Sequence, residues 1–185
     1  PLPLAVAGPD QVICTDAATF EADATGYIPG SGTCPKLSGQ GTIANANLPN
    51  STITGLSQGD NVFRWTVTVA GCTSWDEVKL TNKKVFVDAG TDQTICSMSS
   101  ALQANTPVVG SGEWSIVSGG ALFSNKADPA STIVNLARGI NILRWTINNG
   151  GCYSYDDVII RNDMPSNANA GRDTIIITDT YILGA

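Results

Sequence analysis

Apolar and polar residues alternate along much of this chain with a period of two, and no segment keeps a 3.6-residue period over three turns. In Val62-Phe63-Arg64-Trp65-Thr66-Val67-Thr68-Val69 every odd position is apolar, which predicts a half-buried strand with Phe63, Trp65 and Val67 facing a core. Leu143, Trp145 and Ile147 repeat the pattern. The Asn148-Asn149-Gly150-Gly151 stretch that follows predicts a tight hairpin, because Asn and Gly readily take positive φ. The return strands are expected at 76–81 and 156–161. Upstream strands are expected at 10–14, 19–24, 41–46 and 51–56, with one around Trp114-Ser115-Ile116-Val117 in the later copy. About seven short strands at 8–12-residue spacing predict an all-β fold of immunoglobulin-like sandwiches.

The pattern recurs as sequence. Ala7-Gly8-Pro9-Asp10-Gln11-Val12-Ile13-Cys14 returns as Ala89-Gly90-Thr91-Asp92-Gln93-Thr94-Ile95-Cys96, and starts again at Ala170-Gly171-Arg172-Asp173-Thr174-Ile175-Ile176-Ile177. Gly71-Cys72-Thr73-Ser74-Trp75-Asp76-Glu77-Val78 matches Gly151-Cys152-Tyr153-Ser154-Tyr155-Asp156-Asp157-Val158. The first blocks are offset by 82 residues (89 − 7) and the later ones by 80 (151 − 71), so the first copy carries two extra residues near Tyr27. A period near 80 fits one small domain. The expected division is repeat 1 at 1–86, repeat 2 at 87–168, and the start of a third repeat at 169–185, as in a piece of a longer protein. The linker at 162–169 is rich in Pro, Asn and Ser. That at 83–88 is more apolar and predicts the stiffer joint.

Domains this small bury only about 60–65% of their unfolded surface and gain much from a covalent staple. Cys14 and Cys72 hold the same repeat positions as Cys96 and Cys152, so the simplest pairing is one disulfide per repeat, Cys14–Cys72 and Cys96–Cys152. Each would close a loop of nearly 60 residues, worth roughly 4 kcal/mol on the chain-entropy account, and would imply an extracytoplasmic home. Four buried thiols in a reduced protein is the other reading. Cys34 stands where the second copy has Trp114, which marks a core position. A buried free thiol with Tyr27 filling the indole's volume, a bridge to Cys14 or Cys72, and an intermolecular link all stay open for it.

Charge and chemistry narrow the function. The net charge of −6 offers no basic patch to neutralise phosphates, so no nucleic-acid partner is expected. No apolar run approaches the ~18 residues of a membrane span. The absence of histidine removes Ser-His-Asp and Cys-His catalysis and histidine metal sites. Gly30-Ser31-Gly32 lacks the Lys-Ser/Thr of a phosphate loop, and no calcium loop appears. No catalytic residue, metal or cofactor is therefore expected, and the chain is read as a non-enzyme. Asp76 and Asp156 share parity with inward residues, and are expected to accept backbone or Arg hydrogen bonds at a strand start. A calcium ligand is the sharper reading. Arg64 and Arg144 have the wrong parity to reach them directly. Trp75 and Tyr155 have outward parity, and could contact a glycan or a protein partner.

The blocks Ala89 to Cys96, Gly110 to Gly120 and Arg144 to Val158 resemble the immunoglobulin-like, PKD-like repeats of large Bacteroidota surface proteins, including SprB-type gliding-motility adhesins. The third start, with Ile177 in place of the cysteine, is similar to the PKD-like variant. The resemblance covers nearly the whole chain. It implies type IX secretion to the cell surface, and a role in adhesion or motility. It also implies O-glycosylation at Asp-Ser/Thr-apolar sites, of which Asp173-Thr174-Ile175 is one, so Thr174 is a candidate. Cys34 in place of the Trp departs from the repeat pattern. The expected function is the stalk or spacer of a secreted surface adhesin. Its expected partners are neighbouring repeats of the same chain, and surface polysaccharide or other cell-surface proteins. A glycan- or protein-binding module is the alternative.

Overall fold

The computed structural model describes residues 3–23, 32–166 and 168. Tyr27, Thr174 and the start of the third repeat lie outside them. The described chain is all-β. Repeat 1 contains β1 (Gln11–Ile13), β2 (Ala17–Thr19), β3 (Gly32–Thr33), β4 (Lys36–Ser38), β5 (Thr42–Ile43), β6 (Thr52–Thr54), β7 (Gly59–Val69) and β8 (Cys72–Asn82). Repeat 2 contains β9 (Gln93–Ile95), β10 (Ser100–Ala101), β11 (Ser111–Ser118), β12 (Leu122–Phe123), β13 (Thr132–Val134), β14 (Gly139–Asn149) and β15 (Cys152–Asn162).

Each repeat is an immunoglobulin-like sandwich. In repeat 1 one sheet has the order β1-β8-β7-β3, with β4 also on β7, and the other β2-β6-β5. Repeat 2 repeats this as β9-β15-β14-β11 and β10-β13-β12. The long hairpins β7–β8 and β14–β15 carry the alternation read from sequence, with Phe63, Trp65, Leu143 and Trp145 fully buried. Their turns are two residues long, at Ala70-Gly71 and Gly150-Gly151, all with positive φ. The hairpins reach further than the expected 76–81 and 156–161, because the ladder is unbroken up to the turn. The first strand of each repeat runs parallel to the last, with Ile13 beside Asn82 and Ile95 beside Asn162.

The recurring Ala-Gly-x-Asp-Gln motif clamps this parallel strand in place. Ala7 and Ala89 are buried, and their N–H groups donate to Asp76 Oδ2 (2.9 Å) and Asp156 Oδ2 (2.8 Å). Gly8 and Gly90 take positive φ against the carbonyls of Glu21 and Gln103, where a Cβ would come within 2.5 and 2.7 Å. Asp10 and Asp92 accept the N–H groups of Lys79 and Ile159 (2.9 and 2.8 Å). Gln11 and Gln93 donate to the carbonyls of Thr19 and Ala101, reaching across to the other sheet.

Two separate cores result. Ala5 and Ala7 belong to the first, and Val85, Val87 and Ala89 to the second. In repeat 2, Trp114 lies 5.2 Å from Trp145, centroid to centroid, and stacks near Phe123. In repeat 1 the Trp114 position is Cys34, a free thiol only 2% exposed, whose N–H bonds Ala46 just as that of Trp114 bonds Lys126. Phe20, at the position of Leu102, packs on Trp65 at 5.9 Å. The larger side chain at β2's end recovers only a small part of the volume lost where Cys34 replaces the indole. Gly112 allows the Trp145 ring to lie against the backbone, since a Cβ there would come within 2.1 Å of it.

Each core also holds an asparagine that the alternation does not reveal. Asn141 is fully buried, donates to the carbonyls of Ala137, Gly139 and Ile160, and accepts the N–H of Gly120. Asn61 plays the same part in repeat 1. Asn141→Ala leaves these backbone groups unpaired inside the fold. It should destabilise repeat 2 by about 2–4 kcal/mol in denaturant unfolding followed by tryptophan fluorescence.

Candidate functional site: the joint between repeats

The clamped first strand determines where its cysteine goes. Ile13 is level with Asn82, the last residue of β8, so Cys14 emerges at the end of repeat 1 where the chain leaves it. Cys72 is the first residue of the same eleven-residue strand, at the hairpin turn. The two ends of β8 are roughly 30 Å apart, far beyond the ~7 Å between Cα atoms that a disulfide can bridge. Repeat 2 separates Cys96 from Cys152 in the same way. The expected pairs Cys14–Cys72 and Cys96–Cys152 are therefore not formed.

Cys14 bonds Cys152 instead, with their Cα atoms 5.2 Å apart and a separation of 138 positions in sequence. The hairpin turn of repeat 2 sits against the exit end of repeat 1, and the bond joins them. Cys72 and Cys96 are exposed free thiols, and Cys34 is a buried one. Around the bond, Asn149 Nδ2 donates to the Lys83 carbonyl (3.2 Å). Asn82 shapes the exit, donating to the Leu56 carbonyl and accepting the Lys84 N–H. The Lys84 ammonium pairs with Asp16 (3.1 Å) and holds that carboxyl below its ordinary range. Beside this polar contact lies a cleft of about 380 Å³, lined by Leu56, Val85, Phe86, Pro107, Val108 and Ile147 among others. The apolar linker noted in the sequence forms part of its wall.

The remaining candidates lie elsewhere. Asp76 and Asp156 accept backbone N–H groups, and no metal-holding cluster of three acidic or cysteine side chains occurs among the described residues. Arg64 and Arg144 pair across the ladder with Glu77 (2.6 Å) and Asp157 (2.7 Å), which share their outward parity. The Arg144 guanidinium holds the Asp157 carboxyl below its ordinary range. Trp75 and Tyr155 are 57% and 53% exposed, and each ring carries a guanidinium over it, Arg64 at 4.2 Å and Arg144 at 3.6 Å. Sequence reasoning found the aromatics and the arginines but not their stacking. Aromatic and arginine sit on neighbouring strands two ladder positions apart on the same face, which becomes legible only once the hairpin register is known.

No protein-family model matches the chain, and no curated protein matches it in sequence. Among solved structures it is similar to extracellular domains 3–5 of Drosophila OTK, at 11% identity over 83% of this chain with a TM-score of 0.43. It is also similar to an I-band fragment of titin, at 9% identity over 83% of this chain with a TM-score of 0.37. A third is a SusE-like, surface-located polysaccharide-binding protein from the Bacteroides thetaiotaomicron heparin utilisation locus, at 13% identity over 87% of this chain with a TM-score of 0.34. The chain spans 58%, 62% and 34% of those chains, respectively. The immunoglobulin-like assignment rests on the sheet topology described above.

Burial pushes the Cys34 thiol from 9.0 up to about 12. The folded protein then keeps a proton that the unfolded chain releases above pH 9, so this thiol makes stability fall as pH rises from 9 towards 12. The fall in denaturant midpoint with pH over that window should be shallower in Cys34→Ala than in the unsubstituted protein. In the folded protein at neutral pH, a thiol reagent should label Cys72 and Cys96 and leave Cys34 unmodified until denaturant is added.

Proposed function

We propose that this chain is a load-bearing spacer from the stalk of a secreted, cell-surface adhesin, with a mechanical rather than a catalytic role. The Cys14–Cys152 bond carries this reading. Tension applied between the ends of the chain enters at the first strand of repeat 1, crosses the covalent bond, and leaves along β15. Residues 15–151, which include most of both sandwiches, lie outside that path. At full extension they would add roughly 480 Å of slack, and the bond withholds it. A joint of this kind keeps the spacer at working length under forces that would unravel an unstapled β-sandwich. The same bond favours an oxidising, extracellular home. The resemblance to SprB-type repeats supports a surface adhesin of the gliding-motility kind exported by the type IX route.

Pulling single molecules by their termini tests this. The oxidised protein should give only a short extension before the handles detach. Cys14→Ser should release two unfolding steps of about one repeat each. Full-length unfolding steps from oxidised protein, in which mass mapping has verified the bond, would sink the proposal.

A second reading, a module that binds surface polysaccharide or a cell-surface protein, draws on the exposure of Trp75 and Tyr155 at matching positions. A polar recess of about 400 Å³ lined by Ser111, Glu113, Ser115, Thr146 and Asn148 lies on the same sheet. The guanidinium over each ring weighs against it, because a sugar would have to displace the arginine to stack on that face. On this reading Tyr155→Ala should weaken retention on a polysaccharide affinity gel at least tenfold. Retention unchanged by Tyr155→Ala, or absent from the start, removes this face as a glycan site.

A further inference from the structure

Cys72 and Cys96 are the two halves of the joint, left open. Cys72 follows the hairpin turn of repeat 1 as Cys152 follows that of repeat 2, with Val69 opposite it where Asn149 stands opposite Cys152. Cys96 ends the first strand of repeat 2 as Cys14 ends that of repeat 1. The frame around it is the same. The Asp163 N–H donates to the Ile95 carbonyl at 2.8 Å, and that of Lys83 to Ile13 at 2.8 Å. The Leu136 N–H donates to the Met98 carbonyl at 3.0 Å, and that of Leu56 to Asp16 at 3.0 Å. The Met164 and Lys84 N–H groups both donate to the Asn side chain two residues before them. Cys72 is exposed where its bonded counterpart Cys152 is buried, and Cys96 is exposed as its bonded counterpart Cys14 is. They lie at opposite ends of the two-repeat rod, so they cannot bond to each other within one chain.

The surroundings of the open ends differ from the closed joint in a matched way. In the closed joint Asn149 on the hairpin side and the Lys84–Asp16 pair on the exit side supply polar contacts beside the apolar cleft. At the open ends Val69 replaces Asn149, while Met164 and Met98 replace Lys84 and Asp16. At these three positions polar side chains give way to apolar ones, and Met98 is half exposed, while Asp163 at the Lys83 position stays charged and pairs with Arg161. Val69 on one open end and Met98 and Met164 on the other offer apolar side chains to each other.

We infer that Cys72 and Cys96 are head-to-tail docking sites for another repeat of this same kind, bonded through the geometry of Cys14–Cys152, so that staples continue along an array. The inference rests on the stalk reading and extends it to every joint. Formation of the bond needs a disulfide oxidant such as oxidised glutathione. One cysteine thiolate attacks the oxidant, giving a mixed disulfide and one reduced glutathione. The second cysteine thiolate displaces the other glutathione. Two protein thiols are oxidised, two electrons and two protons pass to the oxidant, and one new S–S bond forms.

A second copy of this chain is the probe. Incubated at high concentration in a glutathione redox buffer, the protein should form a ladder of covalent oligomers that collapses on reduction, with the Cys72 and Cys96 peptides linked in mass mapping. Cys72→Ser and Cys96→Ser each remove one half of the joint. An equimolar mixture of the two variants should stop at a dimer, and either variant alone should give at least tenfold less. Glutathionylated monomers only, or Cys72–Cys72 and Cys96–Cys96 links as abundant as the mixed one, would overturn the inference. Such a result with Cys14–Cys152 intact leaves the stalk reading standing, whereas absence of Cys14–Cys152 itself removes that reading.

Discussion

The parallel pairing of the first strand of each repeat with its last strand is the constraint on which the other features depend. It puts the cysteine of the first strand at one end of the sandwich and the cysteine of the last strand at the other. A disulfide within one repeat is then out of reach by a wide margin, while the ends of successive repeats are brought together. The Ala-Gly-x-Asp-Gln motif serves this pairing directly. Its alanine, glycine, aspartate and glutamine each fasten the strand at a different point, three of them through hydrogen bonds and one by permitting a backbone conformation that a Cβ would block.

The two cores show how one fold accommodates divergence. Trp114 with Leu102 in repeat 2 becomes Cys34 with Phe20 in repeat 1, while the central Trp65 and Trp145 stay in place. The buried Asn61 and Asn141 are kept because they close backbone groups at the bend before β7 and β14, where no strand partner is available. The outward face is more permissive. Trp75 exchanges with Tyr155 and Glu77 with Asp157, yet each aromatic still stacks under an arginine that pairs with the adjacent carboxylate.

On the proposed load-bearing role, the position of the staple matters more than its contribution to the stability of either domain. A bond inside one sandwich would protect that sandwich alone. A bond from the start of one repeat to the end of the next removes most of two repeats from the path of an applied load, and fixes the angle between them through the contacts of Asn149 and Lys83. Stiffness and resistance to extension then arise from the same residues.

The strand alternation, the repeat, the hairpin turns and the core tryptophans were legible in the sequence, because each is written in neighbouring residues at a period of two or at a fixed offset. The recurrence of the cysteines was legible too, and so was the odd character of Cys34. Partner choice among the cysteines was not, since equal positions in two copies fit a bond within repeats and a bond between them equally well. Nor was the role of Asn61 and Asn141, whose partners come from three separate stretches of chain. The sequence alone determined that there are two like sandwiches with cysteines at matching places. Only the tertiary structure decided which ends those places occupy, because direction and register between strands nearly 70 residues apart depend on hydrogen bonds that no local pattern records.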